Sequence, residues 1–67
     1  MTTEPLYPDV HVQLIGQDGN GASILGRTAQ ALRRGGHHAA AHEFTAQAID
    51  GDYGDLLRLV QRYVEVS

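Results

Sequence analysis

The sequence predicts a small α+β domain, in which three short helices pack on a two-stranded sheet formed by the N- and C-terminal segments. Near both ends of the chain, apolar and polar residues alternate, as in strands that bury one face. Between the ends, apolar residues recur at helical spacing in three segments that glycines separate. The 67 residues allow one domain, which we place at residues 9–67 behind a flexible N-terminal lead at residues 1–8.

The first strand is predicted from the alternation of Val10, Val12 and Leu14 with polar residues. Two prolines in residues 1–8 favour an extended lead before it. After the strand, residues 16–21 are rich in Gly, Asp and Asn, which are typical turn residues. We therefore expect the strand to end in a turn that leads into a helix.

The first helix is predicted from its apolar spacing, and the pair Gly35 and Gly36 should end it. Asp18 or Asn20 can accept free amide hydrogens at its start as the N-cap. Its apolar face should contain Ala22, Leu25, Ala29 and Leu32.

The second helix is predicted over residues 37–50, with Gly51 ending it. At 100° per residue one stripe should face the core, with His38 and His42 on its flank. The stripe consists of His37, Ala41, Phe44 and Ala48.

The third helix has the clearest amphipathic pattern, and Asp52 with Asp55 three residues later is a variant of the capping box. Its apolar arc contains Tyr53, Leu56, Leu57, Leu59, Val60 and Tyr63. Residues 64–66 alternate again, and we expect them to pair with the first strand. The alternative is that these residues extend the last helix.

Composition excludes several classes of protein. The chain has no cysteine, so it holds neither a disulfide framework nor a cysteine metal site. It has no run of 18 apolar residues, and its first nine residues lack the basic start of a signal peptide. We therefore expect a cytoplasmic protein with no membrane partner. The formal net charge of −3 argues against a general nucleic-acid binder.

The glycines near the start of the first helix give sequence patterns that resemble two kinds of ligand-binding loop. Gly21, Gly26 and Arg27 fit a phosphate loop with Arg in place of Lys, but the residues between the glycines belong to an amphipathic helix. A calcium loop would place Gly16 and Arg27 where an Asp and a bidentate Glu are needed. We therefore favour a turn followed by an N-cap, a geometry that also permits anion binding at the helix start.

Two further groups are candidate sites. His38 and His42 stand four residues apart on a helix and could reach one metal ion, but two ligands do not complete a metal site, and half-exposed histidines are the simpler interpretation. Such histidines could also respond to pH. Arg27, Arg33 and Arg34 form a basic patch on the first helix, which would serve a nucleic-acid accessory protein. A solvated helix face is the simpler interpretation of that patch.

No nucleophile and base stand at a spacing that supports catalysis, so we assign no catalytic residue and no cofactor and expect a protein that is not an enzyme. A chain this short buries little apolar surface, and the open edges of a two-stranded sheet invite pairing. We expect a protein–protein interaction or adaptor module with an unknown protein partner, with a homodimer as one alternative. The nucleic-acid and metal- or pH-responsive hypotheses are the others.

The sequence also resembles a family of short, functionally uncharacterised bacterial proteins, some of them carried by phages and mobile elements. The strings that carry the resemblance are V-x-V-x-L-x-G-Q-D-G-N, I-L-G-R, A-L-R-R, G-D-Y, L-L and a closing V-x-V, within residues 8–66. Relatives in that family have Ala at position 21 and Trp at position 63, where this chain has Gly21 and Tyr63. The resemblance implies a compact domain whose ends lie close together, and it implies no activity.

Overall fold

The computed structural model describes residues 4–13 and 21–66 and has three helices packed on a sheet of two parallel strands. This confirms the predicted α+β arrangement, with the sheet built from the two chain ends. In chain order the elements are β1 (Tyr7–Val12), α1 (Gly21–Arg34), α2 (His38–Asp50), α3 (Tyr53–Tyr63) and β2 (Val64–Val66).

The two strands run parallel, and all three helices lie in the connection between them. Parallel neighbours require a crossover of a dozen residues or more, which the helices supply. Val10, Val12 and Val64 are buried, whereas Asp9 and His11 point to the exposed face. The alternation in the sequence therefore marks the buried face of the sheet, and residues 64–66 form a strand rather than a helix extension.

β1 begins at Tyr7, earlier than the alternation predicts, so the predicted lead at residues 1–8 is too long at its C-terminal end. Tyr7 pairs with Val64 while His11 pairs with Glu65, so the ladder is irregular between those two residues of β1. Pro8 lies in the irregular part, where a residue without an amide hydrogen is tolerated. The predicted end of the strand at Leu14 lies outside the described residues.

The core forms where the apolar faces of the helices meet the sheet. Phe44 is fully buried, and its ring packs edge-on against Tyr63 with centroids 5.4 Å apart. Tyr53 and Ala22 were predicted to face the core but are exposed. The buried apolar residues of the helices are Ile24, Ala29, Leu32, Ala40, Ala41, Phe44, Ala48, Leu56, Val60 and Tyr63.

The predicted helix ends are confirmed at the end of α1 and the start of α3, whereas α2 begins at His38, one residue later than predicted, with half-buried His37 as its N-cap rather than part of its core stripe. The Asp55 amide donates to Asp52 Oδ1 at 2.8 Å and the Asp52 amide donates to Asp55 Oδ2 at 3.3 Å, which completes a capping box at the start of α3. After α1, Gly36 adopts a φ of 86°, as a helix-ending glycine does. The expected caps of α1, Asp18 and Asn20, lie outside the described residues.

Within residues 4–13 and 21–66, none of the helices combines the length and the hydrophobicity that crossing a membrane would need.

Candidate functional site

An open groove of about 640 Å³ lies between β1 and α1. The sheet order is β1–β2, so one edge of β1 has no strand beside it in the described part of the chain. The last two residues of β1 and the residue after them form one wall of the groove, and a face of α1 forms the other. The lining residues are His11, Val12, Gln13, Ala22, Ser23, Gly26, Arg27, Gln30, Ala31 and Arg34.

Along one turn, α1 projects little side-chain volume into the groove, because Ala22, Ser23 and Gly26 have small side chains or none. A Cβ atom built on Gly26 would meet no described atom within 4 Å. Packing within the described residues therefore does not require a glycine here. An interior glycine costs a helix about 0.8–1 kcal/mol relative to alanine, so position 26 is unfavourable for α1 by itself.

The charged side chains of the groove are cationic. Arg27 and Arg34 line it from α1, and none of the described lining residues is an aspartate or glutamate. His11 stands on the strand side, and Gln13 and Gln30 add polar groups that can donate or accept hydrogen bonds. The charged residues among the described lining are thus basic, on a chain whose formal net charge is −3.

The three arginines of the predicted basic patch do not all lie in the groove. Arg27 and Arg34 line the groove, whereas Arg33 is exposed but lies outside it. Sequence analysis considered Gly26 only as part of a phosphate loop, which it did not favour, and did not connect this glycine with the strand. It also missed His11 and Gln13, which only the folded arrangement brings beside α1.

His38 and His42, the weak candidates for a metal site, are exposed on α2. Across residues 4–13 and 21–66, no group of three or more His, Cys, Asp or Glu side chains is arranged to hold a metal ion.

His37 has a different role, because it joins the start of α2 to β1. Its Nε2 atom lies 3.2 Å from Asp9 Oδ2, and its ring lies 4.4 Å from the ring of Tyr7. The hydrogen bond with His37, followed by a backbone hydrogen bond, holds the pKa of Asp9 below its ordinary value. These contacts tether the helix start to the strand.

A second groove lies between the N-terminal segment and α3, lined in part by Leu6 and Leu59. Leu6 is 55% exposed and gives this groove an apolar side. Its charged residues include Asp55 and Arg58, which pair with each other at 2.7 Å. We take the groove beside β1 as the candidate site because an edge of that strand has no strand beside it among the described residues.

No family model, curated protein or solved structure matches the chain. The resemblance to short bacterial and phage proteins therefore stays a prediction, and the function has to be argued from the groove itself.

Proposed function

We propose that the protein is a non-enzymatic interaction module that binds an extended segment of a partner protein in the groove between β1 and α1. The observation that carries this proposal is the edge of β1 that has no strand beside it among residues 4–13 and 21–66, together with the groove that the end of this strand lines. An edge strand presents backbone amides and carbonyls that another extended chain can pair with, while the neighbouring wall contacts its side chains.

The dimensions of the groove suit a short segment. Its volume of about 640 Å³ is within the ~300–1,000 Å³ of ordinary ligand sites. His11, Val12 and Gln13 line it, whereas the ladder irregularity and Pro8 lie further back along the strand. Pairing over a few residues is therefore supported, and a long added ladder is not.

A second copy of this chain is an alternative occupant of the same edge. Pairing along the whole of β1 with β1 of another copy would bring Pro8 of each copy into the new ladder, where its missing amide hydrogen is unfavourable, whereas a short segment of a different protein can pair with the end of the strand alone. We therefore favour a different protein as the partner. Analytical ultracentrifugation should find a 7.3 kDa species at micromolar concentration, and a concentration-dependent dimer would favour the homodimer instead.

The other hypotheses remain predictions without a supporting contact. A nucleic-acid surface would use Arg27, Arg33 and Arg34 together, and only two of these line one groove. A metal- or pH-responsive module would use His38 and His42, which are exposed.

Selection from a random library of linear peptides displayed on phage tests the proposal. The target is the immobilised full chain, and the control target is Gly26→Leu, which adds a side chain at the helix wall of the groove. Space beyond the Cβ of residue 26 is open among the described residues and leucine favours helices, so the variant should fold at least as well. Peptides that bind the unmodified chain and fail to bind Gly26→Leu are expected. Failure to enrich any peptide, or equal binding to both targets, would contradict the proposal.

A further inference from the structure

We infer that Asp50 is a modification site, at which the bond between Asp50 and Gly51 rearranges spontaneously to isoaspartate. The inference is independent of the proposed function, because neither residue lines the groove between β1 and α1. An aspartate followed by glycine is especially prone to this rearrangement, since glycine places no side chain in the way of the reacting groups. Three features of the junction between α2 and α3 support it: an exposed carboxylate, a weakly held amide and a glycine that the fold requires.

The carboxylate of Asp50 is exposed and has no partner in the described part of the chain. Asp50 is the last residue of α2, and neither a hydrogen bond nor an ion pair holds its side chain among residues 4–13 and 21–66. A negative charge at a helix C-terminus is unfavourable, and the last turn of α2 contains no basic residue to offset it. Nothing in that part of the chain therefore keeps this carboxylate away from the amide that follows it.

The amide of Gly51 is the nucleophile of the rearrangement, and α2 holds it weakly. It donates to the Ala48 carbonyl at 3.4 Å, which is longer than the roughly 2.7–3.2 Å of ordinary N–H···O bonds. The backbone of Gly51 has already left helical geometry, with φ of −104° and ψ of 172°. Helix ends open more readily than helix interiors, so the geometry needed for ring closure is accessible here.

The capping box of α3 requires the glycine. A Cβ atom built on Gly51 would lie 2.7 Å from the Cβ of Asp55, closer than two such atoms can approach. Asp55 is held in that position because its carboxylate accepts from the Asp52 amide while its own amide donates to Asp52 Oδ1. The start of α3 therefore favours glycine after Asp50, and the same glycine makes Asp50 reactive.

The rearrangement is balanced with water alone. The Gly51 nitrogen forms a bond to the carboxyl carbon of Asp50, and the amide proton leaves with the carboxyl hydroxyl as one water molecule, which gives a cyclic imide. Water then opens this ring at either carbonyl. Opening at the side-chain carbonyl restores aspartate, whereas opening at the main-chain carbonyl gives isoaspartate, whose backbone is longer by one methylene. No atom is oxidised or reduced.

The longer backbone would lie directly before the cap of α3. The cyclic imide has no Gly51 amide hydrogen, so the bond to Ala48 is lost at that stage. The added methylene then displaces Asp52 relative to the end of α2. We expect the purified isoaspartate form to melt at a lower temperature than the unmodified chain, because the capping box is disturbed.

Peptide mapping of the full chain after prolonged incubation at neutral pH tests the inference. Trypsin cleaves after Arg34 and Arg58, so residues 35–58 are recovered as one peptide in which Asp50 is the only aspartate that precedes a glycine. The digest is probed with protein L-isoaspartyl methyltransferase and labelled S-adenosylmethionine, which together methylate isoaspartate and leave aspartate unmodified. We expect label to accumulate at Asp50, while the other two aspartates of the same peptide remain unlabelled.

Two substitutions at position 50 are matched controls. Asp50→Glu keeps the charge but lengthens the side chain, so the favourable five-membered ring cannot form and the label should fall to background. Asp50→Asn should convert faster than the unmodified chain, because a neutral side-chain amide is attacked more readily than a carboxylate. The position is exposed, so both variants should fold as the unmodified chain does, which circular dichroism checks.

A synthetic peptide of residues 35–58 supplies the rate for an unfolded chain. We expect label to appear in the folded chain within roughly tenfold of the peptide rate, because the end of α2 opens at little cost. A folded chain that stays unlabelled at Asp50 would overturn the inference. Label that persists in Asp50→Glu would also overturn it, because another residue would then be the source.

Discussion

The helices α1 and α3 show how differently two amphipathic helices of one small domain can be built. α3 begins with a reciprocal capping box between Asp52 and Asp55, and Arg58 donates a further hydrogen bond to the Asp55 carboxylate at 2.7 Å. Every one of these interactions lies within two turns of the chain. The polar residues at the start of α3 are therefore explained by the stability that they give to this helix.

α1 contains two residues that work against its stability. Gly26 lowers its helix propensity, and Thr28 buries a hydroxyl that has no hydrogen-bond partner in the part of the chain the structure describes. Thr45 of α2 shows the usual solution, since its hydroxyl donates to the carbonyl of Ala41 at 2.9 Å. The difference indicates that the start of α3 is stabilised by its own residues, whereas α1 contains two residues whose cost its own interactions among the described residues do not offset.

Truncating a side chain in the core that both helices share should have the largest effect on stability. Phe44 is fully buried and contacts Tyr63 at the end of α3. Phe44→Ala should cost about 3–5 kcal/mol, which is enough to unfold a domain of this size. Far-UV circular dichroism would show the loss of helix, and a melting temperature near that of the unmodified chain would mean that the core lies elsewhere.

Loss of the cap tests the α3 side of the comparison. Asp52→Ala removes the acceptor for the Asp55 amide and should destabilise the domain by about 0.5–2 kcal/mol. Urea unfolding measures the change. Asp50→Ala is a suitable control, because Asp50 is exposed at the end of α2 and takes no part in the capping box. Equal effects of the two substitutions would remove the special role of the box.

Thr28→Val tests the α1 side of the comparison and should raise the stability of the domain rather than lower it. The substitution keeps the shape of the side chain and removes the buried hydroxyl, so we expect about 1 kcal/mol of added stability. Thr45→Val, which deletes a satisfied hydrogen bond, should bring no such gain. A loss of stability in Thr28→Val would show that this hydroxyl has a partner and that α1 is less costly than we infer.

Protonation of Asp55 at low pH should destabilise α3, and this is the smallest of the four effects on stability that we predict. The Arg58 hydrogen bond, followed by the Asp52 amide, holds the pKa of Asp55 below its ordinary value of 3.8. The folded state therefore binds this proton less readily, so the stabilisation is present above that value and is lost as pH falls through the lower folded pKa. Asp55→Asn should flatten the fall in melting temperature below about pH 4. An unchanged acid profile would contradict this assignment.

The parts of the fold that could be predicted from the sequence are those set by neighbours in the chain. The capping box, the helix-ending glycines and the buried stripe of α2 all depend on residues a few positions apart. The parallel register and the early start of β1 depend on contacts between distant segments. For example, Tyr7 meets His37 and Tyr63, and no local pattern reveals those partners.

The candidate site follows the same division. Arg27 and Arg34 could be singled out from the sequence because they are charged and share a helix. Helical periodicity also places Arg27 and Arg34 on one face of α1 and Arg33 on another, whereas the inclusion of His11 and Gln13 in the groove depends on where β1 lies against α1. Sequence patterns therefore indicated one helix that takes part in the site, but not the strand edge that completes it.

Amide hydrogen exchange at His11, Val12 and Gln13 tests the central claim most directly. With a peptide selected from the phage library bound, we expect slower exchange at one or more of these amides, because an added strand would accept their hydrogen bonds. Amides of α3 should exchange as before. Bound peptide that leaves the exchange of all three residues unchanged would contradict the claim that the edge of β1 is the binding site.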